Sequence, residues 1–134
     1  MPMIVWNDSL SVNVKDIDSQ HRKLVDMINY LNDAMISGVE NNVVLDLIEK
    51  LKNYTVYHFS EEETYMDSTY PFLSVHKYAH NEFINKVVQI ENDFKNGTAD
   101  IPMDILNYLC NWLVTHINDT DKKLGMFINQ SRVY

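Results

Sequence analysis

The chain has 134 residues, of which 46% are hydrophobic, and a formal net charge of -8 at pH 7. This length and composition predict one domain, residues 1–134, with enough apolar side chains to form a core. The acidic balance argues against a nucleic-acid-binding protein, because phosphate recognition needs a basic surface and the eleven Lys and Arg residues are scattered.

The N-terminal segment contains no basic region followed by a long apolar stretch, and no part of the chain approaches the roughly 18 apolar residues of a membrane span. We therefore expect a cytoplasmic protein without a membrane partner. Residues 1–17 are predicted to form an irregular arm, and the side chains of residues 16–20, DIDSQ, are predicted to cap the helix that follows.

Glycine and proline residues divide the rest of the chain into four predicted helices. Gly38 is expected to end the first, Pro71 to begin the third, Gly97 to end it, and Pro102 to begin the fourth, with Gly125 near its end. The predicted ranges are about Ser19 to Ser37, Asn42 to Met66, Phe72 to Lys95, and Met103 to the C-terminal region.

Apolar residues recur at steps of three and four along each predicted helix, so each helix has one face to bury. Four such helices with short connections, and no strand pattern, predict an all-α fold. We expect an antiparallel up-down-up-down four-helix bundle with an irregular N-terminal arm. Cys110, the only cysteine, excludes an intramolecular disulfide and is predicted to be a buried thiol.

All five histidines fall on the apolar faces: His21, His58, His76, His80 and His116. One histidine on such a face is usually a hydrogen-bonded core residue, but the topology brings all five to one end of the bundle. Burying five imidazoles without partners is costly, and a metal centre would satisfy all five lone pairs. Because five nitrogens exceed the four ligands of a closed zinc site, two metal ions with bridging groups fit better than one.

The stretch HFSEEETYM, residues 58–66, contains a candidate bridging carboxylate. On an ideal helix Glu62 lies about 40° from His58, Glu61 about 60° the other way, and Glu63 about 140° away. We therefore expect Glu62 to point inward, Glu63 to be solvated, and Glu61 to lie at the boundary.

A second carboxylate is expected from the fourth helix, where spacing leaves two candidates. Asp119 lies closer to the face of His116 than Asp121, which is five residues on and about 140° away. Asp121 would need an extra residue in the turn, a π-bulge of the kind often found at functional sites. The spacing alone does not decide between them.

Four motifs together resemble the hemerythrin family, in particular its single-domain bacterial members. They are IDSQH at 17–21, HFSEEETYM at 58–66, HKYAH at 76–80 and WLVTHINDTD at 112–121. The resemblance implies a di-iron centre of two non-haem iron ions with an oxo or hydroxo bridge, and it favours Asp121 and an irregular fourth helix. The implied ligands are His76, His80 and His116 on one iron, His21 and His58 on the other, and Glu62 and Asp121 bridging both.

The resemblance also implies reversible dioxygen binding, for storage, delivery or sensing, rather than enzyme activity, with dioxygen as the partner and no protein partner identified. Five neutral imidazoles and two carboxylates favour ferrous iron over the high-valent iron of substrate-oxidising sites. The alternative is a di-iron enzyme reducing peroxide, nitric oxide or dioxygen, and a third interpretation is a metal-free or zinc-holding interaction bundle. Ordinary core packing is an equally good and compatible interpretation for the residues that are candidates for the dry wall of the site: Leu24, Val25, Phe72, Trp112, Leu113 and Ile117.

Overall fold

The computed structural model describes residues 4–96 and 103–131. Every regular element in this part of the chain is helical. The elements are a 3-10 turn at Asp8–Leu10, helices α1 Lys15–Ile36, α2 Asn41–Glu63, α3 Leu73–Lys95 and α4 Met103–His116, a π-helical segment Ile117–Asp121, and α5 Lys122–Ser131. Gly97 and Pro102 lie outside the described residues, so their predicted roles stay predictions.

The helices form the predicted antiparallel bundle, in which α4, the π segment and α5 together make the fourth helix. Contacts between neighbouring helices run in opposite chain order, as antiparallel packing requires. The facing pairs are Gln20–His58 and Lys23–Tyr54 for α1 and α2, Lys52–Glu91 and Glu63–His80 for α2 and α3, and Lys86–Tyr108 and His80–His116 for α3 and α4.

The half of the bundle away from the histidines is closely packed and apolar. A void there measures about 10 Å³, about the smallest volume that holds a water molecule. Its walls come from all four helices: Leu31, Ile48, Leu51, Val87, Ile90, Leu106 and Leu109. Cys110 is buried as predicted, and burial raises the pKa of its thiol to about 11.

The first helix begins earlier than predicted. Its N-cap residue is Val14, which has no side chain that could cap, and the amide of Asp18 already donates to the Val14 carbonyl at 2.9 Å. The predicted start at Ser19 and the capping role of residues 16–20 are therefore wrong, and the irregular arm ends before Lys15 rather than at residue 17. Asp18 instead accepts hydrogen bonds from the Val12 amide at 2.8 Å and the Ser11 hydroxyl at 2.6 Å, which hold the arm against α1.

Gly38 ends α1 as predicted. It has a φ of +72°, and its amide donates to the carbonyl of Met35 while the amide of Val39 donates to that of Ala34. This is the Schellman arrangement, in which glycine takes the left-handed position without steric cost. Gly125, by contrast, lies inside α5 rather than near the end of a helix.

No helix in the described ranges is long and apolar enough to cross a lipid bilayer.

Candidate metal centre

Seven side chains with metal-binding atoms meet at one end of the bundle, and each is 5% exposed or less. They are the seven residues that the family resemblance implies as metal ligands. α1 contributes His21, α2 His58 and Glu62, α3 His76 and His80, α4 His116, and the π segment Asp121. We call these seven the buried cluster.

Glu62 lies between two groups of histidines. Its Oε2 is 3.4 Å from Nε2 of His21 and 3.6 Å from Nε2 of His58. Its Oε1 is 3.0 Å from Nε2 of His80 and 3.8 Å from Nε2 of His76. Each oxygen of this one carboxylate therefore faces a different group.

Asp121 divides its oxygens in the same way. Oδ2 is 2.9 Å from Nε2 of His21, whereas Oδ1 is 3.0 Å from Nε2 of His76 and 3.1 Å from Nε2 of His116. The buried cluster thus contains two potential cation sites that share both carboxylates. One has four contributing residues and the other five, and within each the candidate donor atoms lie within 4.8 Å of one another.

The facing atoms of the buried cluster form no hydrogen bonds within the described part of the chain. This holds for Nε2 of His21, His76, His80 and His116 and for both oxygens of each carboxylate. Buried polar atoms without partners are rare in native proteins and costly. Cations between the nitrogens and the oxygens would satisfy all of these atoms, and imidazole with carboxylate is a donor set suited to divalent transition metals. The cluster therefore fits a metal centre.

The pKa values of the cluster reflect two buried negative charges. Burial alone would lower the pKa of His21 and of His76, but polar contacts with Asp121 and Glu62, and their charges, outweigh it. They raise the pKa of His21 to about 10 and that of His76 to about 9. For His58 burial dominates and lowers the pKa to about 4. Burial opposes ionisation of both carboxyl groups, yet the surrounding histidines hold each pKa below its usual value.

Three of the histidines also use the other ring nitrogen. Nδ1 of His58 lies 2.7 Å from Oε1 of Gln20, and Nδ1 of His80 lies 3.1 Å from Oε2 of Glu63. Nδ1 of His76 lies 3.5 Å from the hydroxyl of Tyr70. Such outer partners are typical of metal-binding histidines, because they fix the tautomer and leave Nε2 free for the metal.

Glu62 is buried as expected, but the expectation that Glu63 is solvated is wrong. The Glu63 side chain is only 33% exposed, and it accepts the hydrogen bond from His80. Glu61 lies at the boundary, where it accepts from the Tyr57 hydroxyl at 3.1 Å. The angle of Glu63 on its own helix did not reveal this contact, because the donor belongs to α3.

The π segment decides which aspartate faces the histidines, Asp119 or Asp121, a choice that the spacing alone did not settle. Asp121 is 1% exposed and faces the histidines, whereas the Asp119 side chain is 70% exposed and lies 3.5 Å from Nζ of Lys123. The predicted irregularity of the fourth helix is confirmed as a π-helical turn between His116 and Lys122. The wider turn lets residues five apart share one face.

Aromatic rings stack on two of the histidines. Phe59 stacks on His80 with ring centroids 3.8 Å apart, and Trp112 stacks on His116 at 4.3 Å. Phe59 and Tyr70 were not predicted as site residues, although Phe59 directly follows a motif histidine. Of the predicted wall, Leu24, Val25, Leu113 and Ile117 are buried and Trp112 half-buried.

Phe72 was wrongly assigned to the wall of the site. It is 41% exposed, its ring contacts the edge of Tyr70, and Nζ of Lys123 lies 4.7 Å from its centroid. It is the N-cap residue of α3 and so precedes the helix whose inner face carries His76.

The family model described as the hemerythrin HHE cation-binding domain matches residues 12–128. The chain belongs to the hemerythrin family. It is 38% identical over 122 residues to a bacteriohemerythrin of Pseudomonas aeruginosa, covering 90% of this chain and 78% of that one. It is 31% identical over 127 residues to a bacteriohemerythrin of Methylococcus capsulatus, covering 93% and 96%.

The fold agrees with the family. A crystal structure of a wild-type hemerythrin superposes with a TM-score of 0.86 at 29% identity, covering 92% of this chain and 96% of that one. The four-helix bundle of this hemerythrin chain is thus shared with a solved structure along nearly its whole length, and a metal-binding cluster lies at one end of it.

Proposed function

We propose that the buried cluster holds two non-haem iron ions and that the protein binds dioxygen reversibly, for storage, delivery or sensing. The observation that carries this proposal is the way in which each buried carboxylate shares its two oxygens between two groups of histidines. Glu62 and Asp121 each direct one oxygen towards a two-histidine group and one towards a three-histidine group. Membership of the hemerythrin family supports iron as the metal.

In this assignment His76, His80 and His116 would hold one iron, and His21 and His58 would hold the other. Glu62 and Asp121 would be shared ligands of the two irons. The two-histidine group has one contributing residue fewer than the three-histidine group, which leaves room there for an external ligand. Ferrous iron supplies the redox chemistry that reversible dioxygen binding requires.

The protein's own residues favour binding over catalysis of a further reaction. Two carboxylates and five neutral imidazoles bring less negative charge to the metals than a carboxylate-rich site, which disfavours high-valent iron. Buried apolar side chains one helical turn from the cluster, such as Leu24 and Leu113, keep water from the centre.

The proposal is tested by anaerobic reconstitution with ferrous iron, followed by exposure to oxygen. We expect two irons per chain by metal analysis, and an optical spectrum that appears with oxygen and disappears when oxygen is removed. Irreversible oxidation without an oxygenated form would contradict reversible binding. Steady consumption of peroxide or nitric oxide with a reductant would instead support the enzyme alternative.

Asp121→Asn is the sharpest single test of the ligand assignment, because Asp119 provides a matched control two residues away. The buried amide cannot supply two anionic oxygens. We therefore expect the iron affinity of Asp121→Asn to be lower by roughly tenfold or more, so that the variant loses iron. Asp119→Asn removes the same charge from an exposed position and should retain two irons per chain. Equal iron content in the two variants would show that Asp121 is not a ligand.

A further inference from the structure

Helix α2 holds the ring of His80 from three sides. The ring of Phe59 lies parallel to it, with 3.8 Å between centroids and an interplanar angle of 3°. Nε2 of His80 is 3.0 Å from Oε1 of Glu62, and Nδ1 is 3.1 Å from Oε2 of Glu63. When Nε2 faces a metal, Nδ1 carries the ring proton and donates a hydrogen bond to Oε2 of Glu63. The stacking by Phe59 keeps both contacts aligned.

Other histidines of the cluster have weaker or neutral outer partners. Nδ1 of His58 meets the amide oxygen of Gln20, and Nδ1 of His76 meets the hydroxyl of Tyr70 at 3.5 Å. Nδ1 of His21 is buried and has no hydrogen-bond partner among the described residues. The carboxylate partner of His80 therefore makes the outer contacts of the two metal positions unequal.

We propose that Glu63 is a positioning residue that acts through His80 to make the three-histidine metal the more electron-rich of the pair, and so lowers the reduction potential of the centre. This inference rests on the proposed di-iron function. A carboxylate that accepts the Nδ1–H bond raises the basicity of the ligating Nε2, whereas a neutral amide does so less.

The consequence for dioxygen chemistry follows from the sign of that charge. Negative charge next to a ligand stabilises the ferric state relative to the ferrous state, so electrons leave the centre more readily. Glu63 should therefore strengthen dioxygen binding and also speed the slow oxidation of the ferrous form in air. Because the Glu63 side chain is one-third exposed, solvent screens its charge and the effect is one of tuning.

Glu63→Gln tests this role, with Glu61→Gln as the matched control. The two variants remove one formal charge each from the same run of glutamates, but Glu61 contacts the Tyr57 hydroxyl rather than a histidine. We expect Glu63→Gln to keep two irons per chain, to raise the midpoint potential in a spectroelectrochemical titration, to shift the ligand-to-iron absorption bands, and to slow oxidation in air several-fold. Glu61→Gln should leave all of these unchanged.

Gln20→Glu provides the opposite change, because it places a carboxylate at Nδ1 of His58. We expect it to lower the midpoint potential. A midpoint potential for Glu63→Gln equal to that of Glu61→Gln and of the wild type would overturn the proposal. If Glu63→Gln loses iron, Gln20→Glu provides the test instead. A midpoint potential for Gln20→Glu equal to that of the wild type then overturns the proposal. Failure of the wild type to bind two irons is a separate result from metal analysis, and it would overturn the proposed function itself.

Discussion

Gly125 lies where α5 passes the N-terminal arm, and a side chain has no room there. A Cβ at this position would lie 2.2 Å from the backbone oxygen of Val12. Alanine is the better helix former by about 1 kcal/mol, but it would displace the arm. We expect Gly125→Ala to lower the free energy of unfolding by roughly 1–3 kcal/mol, as for other overpacked sites, in a chemical denaturation experiment.

Gly38→Ala separates this steric effect from backbone strain. Gly38 has a φ of +72° and no atom within 4 Å of an added Cβ, so alanine there costs only the left-handed conformation, roughly 1 kcal/mol. The amide of Val12, which donates to Asp18, should exchange with solvent faster in Gly125→Ala but not in Gly38→Ala. Wild-type stability and exchange in Gly125→Ala would contradict the predicted displacement.

The run of glutamates in α2 marks the limit of prediction at the level of single residues. The angle around one helix was enough to predict that Glu62 is buried and that Glu61 lies at the boundary, because both depend on α2 alone. It was not enough for Glu63. The partner of that side chain is His80 on α3, so its environment depends on how two helices pack and not on helical periodicity.

At the scale of elements, the ion pair Lys52–Glu91 joins α2 to α3. Nζ lies 2.8 Å from Oε1, the two side chains are 23% and 5% exposed, and Oε2 of Glu91 has no hydrogen-bond partner among the described residues. Lys52→Met leaves a buried carboxylate unpaired, so we expect a loss of about 3 kcal/mol in unfolding free energy. Glu91→Met should cost less, because Lys52 is long enough to extend towards water.

Lys50→Met is the control on the same helix. Its ion pair with Asp46 has side chains 65% and 58% exposed, so the same substitution should change stability by no more than about 0.5 kcal/mol. All three variants are compared by denaturant unfolding. Equal effects of Lys52→Met and Lys50→Met would mean that the Lys52–Glu91 pair contributes no more than a surface contact.

The sequence allowed the helices to be located, but not their irregular ends. The helices follow from apolar steps of three and four, which need no knowledge of neighbours. The start of α1 was misplaced because Asp and Ser are typical of caps, and here the Asp18 side chain bonds to the arm instead. The spacing did not decide whether the fourth helix contains a π turn before Lys122, and the family resemblance was needed to favour Asp121.

At the scale of the whole molecule, the bundle buries negative charge inside a protein that is already acidic. A chain with a net charge of -8 buries two of its own carboxylates, Glu62 and Asp121, at one end of its core. The convergence of the histidines at that end followed from up-down topology and their positions along the helices, and so could be predicted. The outer contacts of Gln20, Glu63 and Tyr70 could not, because they depend on rotamers set by packing.

The raised pKa values of His21 and His76 predict that metal uptake releases protons. Without metal these groups have pKa values of about 10 and about 9, so both hold a proton at pH 7 to 8 and partly compensate Glu62 and Asp121. Coordination needs the Nε2 lone pair, so each must lose its proton and about two protons leave per chain. Acidification therefore favours metal release, and apparent affinity should rise with pH until about pH 10, less steeply above pH 9.

Anaerobic calorimetric titration with ferrous iron checks this prediction at pH 7 in buffers of different ionisation enthalpy. The observed heat should vary linearly with that enthalpy, with a slope of about two protons per chain. Asp119→Asn, which changes an exposed carboxylate, should give the same slope. A heat independent of the buffer would mean that His21 and His76 are already neutral in the metal-free protein, so that the two carboxylates do not hold protons in place of metal.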